Sequence, residues 1–507
     1  MAGRTELELT FGKGKQPGRR RTDADGDVSF RLVILGDFGG GGSGGGPADD
    51  AKPVPVDMDN VDRVLAGVAP AFELTEGGPT VAFATLDDFH PDRVFARHPA
   101  FTALRELRRR LTDPTTARET AASLRAAAAA ERPAPLAEMG AAESDNATVA
   151  RLLGKAPAAA AGGGASTAGG VAAGATAVVE SLLKEAVAAH VVPAADPDQK
   201  RLITALDGAI GQHMRALLRD PAYQALEAAW RGVHWLVSGL ELDETLRVAL
   251  VDVSQEQAAA DVAAASAAGD PRRSRLYRLL SGGGEPDPEV WSALVGLYSF
   301  SIEDVPALEG FAGLGEALGS PFLAAASPAL VGCPSFASAP TPTDWKLPEG
   351  ENAARWQRLR QSPAARFLGL ALPRFLLRLP YGAKTDPIDS FAFEEQGTPP
   401  DHEAYLWGNP ALACARLLGE LFRAEGTAME PGSALEIGDL PLHSYADAGE
   451  SRLLAPSEAF LGERAVDAIL QRGIMPFISN RRESTVRLAR FQSVASPAAP
   501  LAGPWEG

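Results

Sequence analysis

Cysteine is nearly absent: Cys333 and Cys414 are the only two in 507 residues. That excludes a disulfide framework and leaves too few thiols for a cysteine zinc site. Both read as small buried apolar residues in a reducing compartment. Aromatic residues are sparse, at 7%. Positive charge is in deficit, with 48 Lys and Arg against 65 Asp and Glu and a formal net charge of −17. The basic footprint of a general nucleic-acid binder is therefore missing. Long apolar runs are also missing. The opening residues, MAGRTELELTFGKGK, hold no continuous apolar segment of the kind a secretory signal needs. The one uncharged run long enough to raise the membrane question, Ala156–Val179, is mostly Ala, Gly, Ser and Thr. Such a run reads as a flexible linker. The expectation is a cytoplasmic protein with no membrane insertion and no nucleic-acid partner.

What is present divides the chain, which is too long for a single ordinary core. Residues 1–27 form a tail containing Gly, Lys and Arg, with the basic stretch KGKQPGRRR. Residues 28–112 read as a small α/β domain. In it SFRLVILG (Ser29–Gly36) is an apolar run with the pattern of a buried strand. Asp59 or Asn60 caps a helix with Val61, Val64, Leu65 and Val68 on one face. TVAFATL alternates as a strand, and a helix starting near Pro91 ends at Asp113-Pro114. Residues 113–177 are rich in Ala and then in Gly and Ala: a linker, with a helix-compatible start through Ala130.

Residues 178–507 read as a larger mixed α/β domain. Its helices are VVESLLKEAV, QKRLITALDGAIGQHMRALLRD and DPAYQALEAAWRGVHWLVSGL, the last with Asp220 as N-cap and Pro221 at the first position. The spacing adds a helix over Glu403–Arg423. Strands are expected in TLRVALVDV, WSALVGLYSF, SPFLAAASPAL, FLGLALPRFL, RGIMPFIS and STVRLARFQSV. Helices alternating with buried strands make the fold class α/β or mixed α+β.

The scarce aromatics concentrate between Arg366 and Asn409, as Phe367, Phe375, Tyr381, Phe391, Phe393, Tyr405 and Trp407. This block contains one histidine and no nucleophile–base pair, so it reads as a core or an assembly surface. Elsewhere the chemistry is equally thin. The glycines of ILGDFGGGGSGGG neither open into a helix nor carry Gly-Lys-Ser/Thr, as a phosphate cradle requires. Asp87, Asp88, His90 and Asp92 read as a helix entry, with Asp88 the expected cap after Pro91, more than as metal ligands. Asp207/His213 and Glu227/His234 are spaced so that the partners do not share one helix face. Ser327 lacks the nucleophile-elbow pattern. Arg374 and Arg378 are expected to pair with Asp386, Glu394 or Glu395, fixing a core or interface. No catalytic, cofactor or metal residue is assigned.

Several of these blocks carry a family resemblance. DPAYQALEAAWRGVHWLV, then PFLAAASPALVG, then LPRFLLRLPYG with DPIDSFAFEE and YLWGN occur in the order found in the large subunit of the type VI secretion contractile sheath, the TssC family. FRLVILGDFGG, VDMDNVDRVLAGVAP and LDDFHPDRVFARHPAFTALRELRRRL resemble the small subunit, TssB. The chain is thus similar to a fusion of both, over about residues 28–112 and 178–494. The resemblance implies a non-enzymatic structural component without cofactors. Its implied partners are sheath subunits, the inner tube, the baseplate and a ClpV-type unfoldase. A sheath cap, or an adaptor for sheath subunits or the unfoldase, is the alternative.

The family continues beyond the segment matching FISNRRESTVRLARFQSV into strands that interlock protomers. Here PLAGPWEG follows instead, so that strand donor is expected to be missing. Interface candidates are Val61, Val64, Leu65, Leu104 and Leu107 on the small module, and Trp230, Trp235, Arg374, Arg378, Tyr381 and Trp407 on the large one. Leu182, Leu183 and Val187 lie on the helix where the resemblance implies unfoldase recognition.

Overall fold

The run FRLVILG is apolar on both of its faces, so as a strand it demands cover on both. In the computed structural model it forms β1 (Phe30–Gly36), and Leu32, Val33, Ile34 and Leu35 are fully buried. The residues described are 29–40, 52–73, 80–130, 199–282, 290–447, 449–480 and 482–506. Eight further strands join β1 in one sheet: β2 (Val54–Val56), β3 (Leu246–Asp252), β4 (Ala293–Phe300), β5 (Phe322–Ala326), β6 (Leu368–Leu372), β7 (Glu436–Ile437), β8 (Met475–Ser479) and β9 (Val486–Leu488).

The strand order is β7-β9-β8-β6-β5-β4-β1-β3-β2. β1 runs parallel to both neighbours, with Phe30 opposite Leu246 and Leu32 opposite Ala293. Antiparallel pairing is confined to the two ends, at β2–β3 and at β8–β9–β7. Both edge strands are very short, and β2 carries Pro55, which has no N–H to offer; such edges resist further strand addition.

Helices cover both faces. One layer holds α1 (Val61–Val68), α2 (Pro91–Arg97), α3 (Thr102–Thr112), α4 (Ala117–Ala130), α5 (Gln199–Leu218), α6 (Pro221–Ser238) and, later in the chain, the helix over Pro410–Glu425. The other holds α7 (Gln255–Ala267), α8 (Arg275–Leu280), α9 (Val305–Leu318), α10 (Glu351–Arg360) and the helix over Glu463–Gln471. In chain order the helix over Pro410–Glu425 is α11 and that over Glu463–Gln471 is α12. β1 feeds both cores, Leu32 and Ile34 on one side and Val33 and Leu35 on the other. The fold is mixed α/β. α7 and α9 cross so closely that a Cβ on Gly310 would lie 2.5 Å from the Val262 carbonyl oxygen; a side chain there would force the helices apart.

Local chemistry redraws four expected elements. TVAFATL is strand only over Thr80–Ala82, paired with Ala71–Glu73. There the Asp88 carboxylate accepts the N–H groups of Ala84 and Thr85 and turns the chain into a 3-10 helix, Leu86–Phe89. The cap of α2 is accordingly His90, whose Nδ1 accepts from Asp92 N at 3.2 Å, and not Asp88. The helix expected over Glu403–Arg423 begins at Pro410, because Asn409 caps it and Trp407–Gly408 is used as a strand against Phe375–Leu376. STVRLARFQSV is strand only over Val486–Leu488.

Candidate functional site

Charged residues are almost never fully buried without partners, so a buried ionic cluster marks where the fold spends its specificity. Such a cluster lies on the inner face of α6. Asp220 starts that helix by accepting the Ala222 and Tyr223 N–H groups, with Pro221 at the first position. Two turns on, Glu227 has no exposed surface. Its carboxylate receives Arg231 Nε at 2.6 Å, one helical turn away, and Arg378 Nε at 2.9 Å. Arg378 then spans to Glu395, with Nη1 to Oε2 at 2.8 Å and Nη2 to Oε1 at 3.0 Å. Glu395 also accepts the Tyr381 N–H at 2.7 Å, and the Tyr381 hydroxyl accepts from Arg231 at 3.0 Å. The Arg378 guanidinium lies 4.2 Å from the centre of the Tyr381 ring.

Burial alone would push the Glu227 carboxyl up, yet Arg378 and Arg231 hold it below the usual carboxylate range. Burial raises the Tyr381 phenol to about 12. Glu227 is therefore an anion between two guanidinium groups, Tyr381 keeps its proton, and the ion pairs are made within the cluster. Neither a free base nor an exposed nucleophile is left in it.

The cluster sits beneath a seam between residues 29–130 and residues 199–506. The His90 ring meets the Tyr381 ring edge-on at 5.0 Å. The Asp92 carboxylate accepts the N–H groups of Asp389 and Ser390 at 3.0 and 2.9 Å. Tyr223 donates its hydroxyl to the Phe89 carbonyl, and Trp230 donates Nε1 to the Phe38 carbonyl, both at 3.0 Å. Arg108 on α3 pairs with Asp207 on α5 at 2.7 Å.

Most of the expected interface residues among those described are buried inside this one body. Val61, Leu65, Leu104 and Trp230 are buried in the shared core, with Val64, Leu107 and Trp235 packed half-buried against it. Tyr381 and Trp407 are buried. Leu182, Leu183 and Val187 lie outside the described residues. Arg378 takes Glu395 as expected. Arg374 takes none of its expected partners; it pairs with Glu458 at 2.6 Å and with Glu403 at 3.6 Å. Arg231 and Glu458 escaped sequence reading, and Glu227 was weighed only beside His234. The Glu227–Arg231 spacing of four on an apolar helix face was the legible signal.

A cleft of about 540 Å³ opens at the carboxyl ends of β1, β4, β5 and β6, lined by Asp37, Arg374, Trp407 and Glu458 among others. Ligands of open α/β sheets usually bind at that position. Here Arg374 is already paired with Glu458 and Glu403, and Asp37 accepts the Gly40 N–H. Burial would raise the Glu458 carboxyl, but hydrogen bonds from His402 and Arg374 bring it down to about 2. Among the described residues no group of three or more His, Cys, Asp or Glu side chains is placed to hold a metal ion, and no helix is long and apolar enough to cross a membrane.

The seam carries a pH dependence. His98, 1% exposed, accepts the Ala100 N–H with Nδ1, while its Nε2 is buried without a partner. Burial, then the repulsion of His213 and Arg105, brings its pKa down to about 4. The unfolded chain takes up this proton near pH 6.5 and the folded chain only near 4. Stability is thus full above about pH 6.5 and falls as the pH drops toward 4, by about 1–3 kcal/mol. Urea unfolding at pH 7 and at pH 5 should show this loss. His98→Asn, which keeps a capping acceptor but does not titrate, should lose measurably less; equal losses would dismiss the assignment.

Comparison with known proteins agrees with this division of the chain. Residues 200–496 match the family described as EvpB/VC_A0108, tail sheath N-terminal domain. Residues 20–129 match the family described as Type VI secretion system, VipA, VC_A0107 or Hcp2. The type VI secretion system sheath protein TssC1 of Pseudomonas aeruginosa is 33% identical over 311 residues, covering 59% of this chain and 61% of that protein. The chain thus spans under two thirds of the length of that curated relative. With more than half of its residues matched by the first of these families and a VipA-type domain ahead of them, the chain belongs to the type VI tail sheath family, as a fusion of small- and large-subunit domains.

Proposed function

We propose that this protein is a structural subunit of a type VI secretion contractile sheath, built in the cytoplasm by protein–protein contacts and without catalysis. Residues 28–112 and 178–507 serve as its small- and large-subunit modules, with 113–177 between them. One observation carries the reading: β1, from the part that matches the small-subunit family, lies between β3 and β4 of the part that matches the large-subunit family. Fusion converts the pairing of two chains into an intramolecular step and fixes the stoichiometry at one to one. The inner tube, the baseplate and a ClpV-type unfoldase are its expected further partners.

Electron microscopy of the purified chain, alone and mixed with full-length sheath subunits, tests the proposal. Ordered tubes containing this chain are expected in at least one of the two preparations. A monodisperse particle that neither forms tubes nor enters them would overturn the assignment.

A further inference from the structure

The part of the chain that supplies β1, residues 29–130, reaches the part that receives it through one covalent connection, residues 131–198. Gln199, the first residue of α5, donates its side-chain amide to the Leu111 carbonyl at 2.6 Å, so α5 starts beside the beginning of α4, while the connection leaves from the far end of α4. α4 is about 20 Å long, a distance that about six to ten residues of extended chain can span. Residues 131–198 can reach about 100 Å as one continuous helix and about 230 Å fully extended. A globular body of this size is about 60 Å across.

We propose that where copies of this chain lie side by side, the 29–130 unit of one copy completes the sheet of another. Neighbours are then joined by covalent chain as well as by surface contact. Every interaction across the seam is available in either arrangement: the ladders of β1 with β3 and β4, the Arg108–Asp207 pair, and the Asp92 carboxylate on the Asp389 and Ser390 N–H groups. The body is incomplete without β1, whichever copy provides it. Exchange of an identical element costs little when the joint is unchanged and the connection is long. In a packed assembly a neighbour's unit is present at an effective concentration comparable with that of the chain's own. The inference relies on the sheath reading only to bring copies together.

Pro55 on β2 and Ala249 on β3 are antiparallel register partners across the seam. Such pairs hold their Cα atoms about 4.5–5.5 Å apart, within disulfide range. Full-length chains carrying Pro55→Cys and Ala249→Cys singly, with different tags, are co-expressed and oxidised. The expected result is a reducible product of doubled mass bearing both tags, absent when either variant is expressed alone. The chain carrying both substitutions reports whether the pair can close within one copy. Internal closure there, with no two-tag product in the mixture, would overturn exchange.

A second pair needs no disulfide. Arg108→Asp and Asp207→Arg each place like charges across the seam, and opposite charges return only when units cross between copies. Co-expression should raise the soluble yield above that of either variant, and an unchanged yield would also count against exchange. Tubes with only internal closure would leave the sheath reading standing without exchange; a two-tag product without tubes would do the reverse.

Discussion

Replacing Arg378 with methionine is expected to cost about 3–5 kcal/mol of stability, the range for breaking a buried ion pair by removing one partner. The physical reason is what remains. Methionine fills much of the same volume, so packing survives, but Glu227 and Glu395 lose the cation they share in a site with almost no exposed surface. Arg231 still reaches Glu227 at 2.6 Å. Glu395 is left with the Tyr381 N–H among the contacts described above. Arg378→Lys should fall between, because an ammonium cannot form the paired bonds to two carboxylates that the guanidinium forms. Adding Glu395→Gln to Arg378→Met should recover most of the loss, since the uncompensated carboxylate goes with it and the Glu227–Arg231 pair stays intact. Denaturant unfolding of the full chain measures all three. A loss below about 1 kcal/mol for Arg378→Met, the scale of an exposed pair, would show that the cluster contributes no more than a surface pair does.

The second large effect follows from the position of β1. Residues 199–506 produced without the preceding part should not fold cooperatively. The missing strand leaves a gap between β3 and β4 and strips cover from both cores at once. Leu32, Val33, Ile34 and Leu35 are each fully buried. At about 1.5–3 kcal/mol per buried aliphatic side chain, their loss approaches the whole stability of an ordinary domain, about 5–15 kcal/mol. Co-expressing residues 1–130 as a separate chain should restore a soluble complex that purifies as one species. A cooperative thermal transition from 199–506 alone would show that the large module is self-sufficient.

Much of the architecture is legible along the chain. The unbroken apolar character of FRLVILG calls for a strand covered on both faces. Asp220-Pro221 opens α6 by the cap and first-position chemistry of that dipeptide, and Asn409-Pro410 carries the same start signal for α11, although the periodicity of the preceding residues pointed to an earlier start. The Arg366–Asn409 block reads along the chain as a core or an assembly surface; in the fold Phe375, Tyr381, Phe391, Phe393, Tyr405 and Trp407 are buried, and its arginines find carboxylates. Local reading reached the types of residue in the cluster and one of the partners of Arg378.

The rest depends on long-range neighbours. Arg378 meets Glu227 across 151 positions, and β1 meets β3 across more than two hundred. Nothing in a window of ten residues distinguishes a strand that will pair within its own module from one that will be inserted between two strands of another. By itself the sequence determined most of the strand and helix segments, where several helices begin, and which family the chain resembles, because backbone preferences, caps and hydrophobic period are local. Only the tertiary structure decided that the two sheath modules share one sheet and that a buried ionic cluster forms beneath their seam. That is because strand order and charge pairing are set by burial and by the requirement that every buried polar group find a partner, conditions that exist only once distant segments have come together.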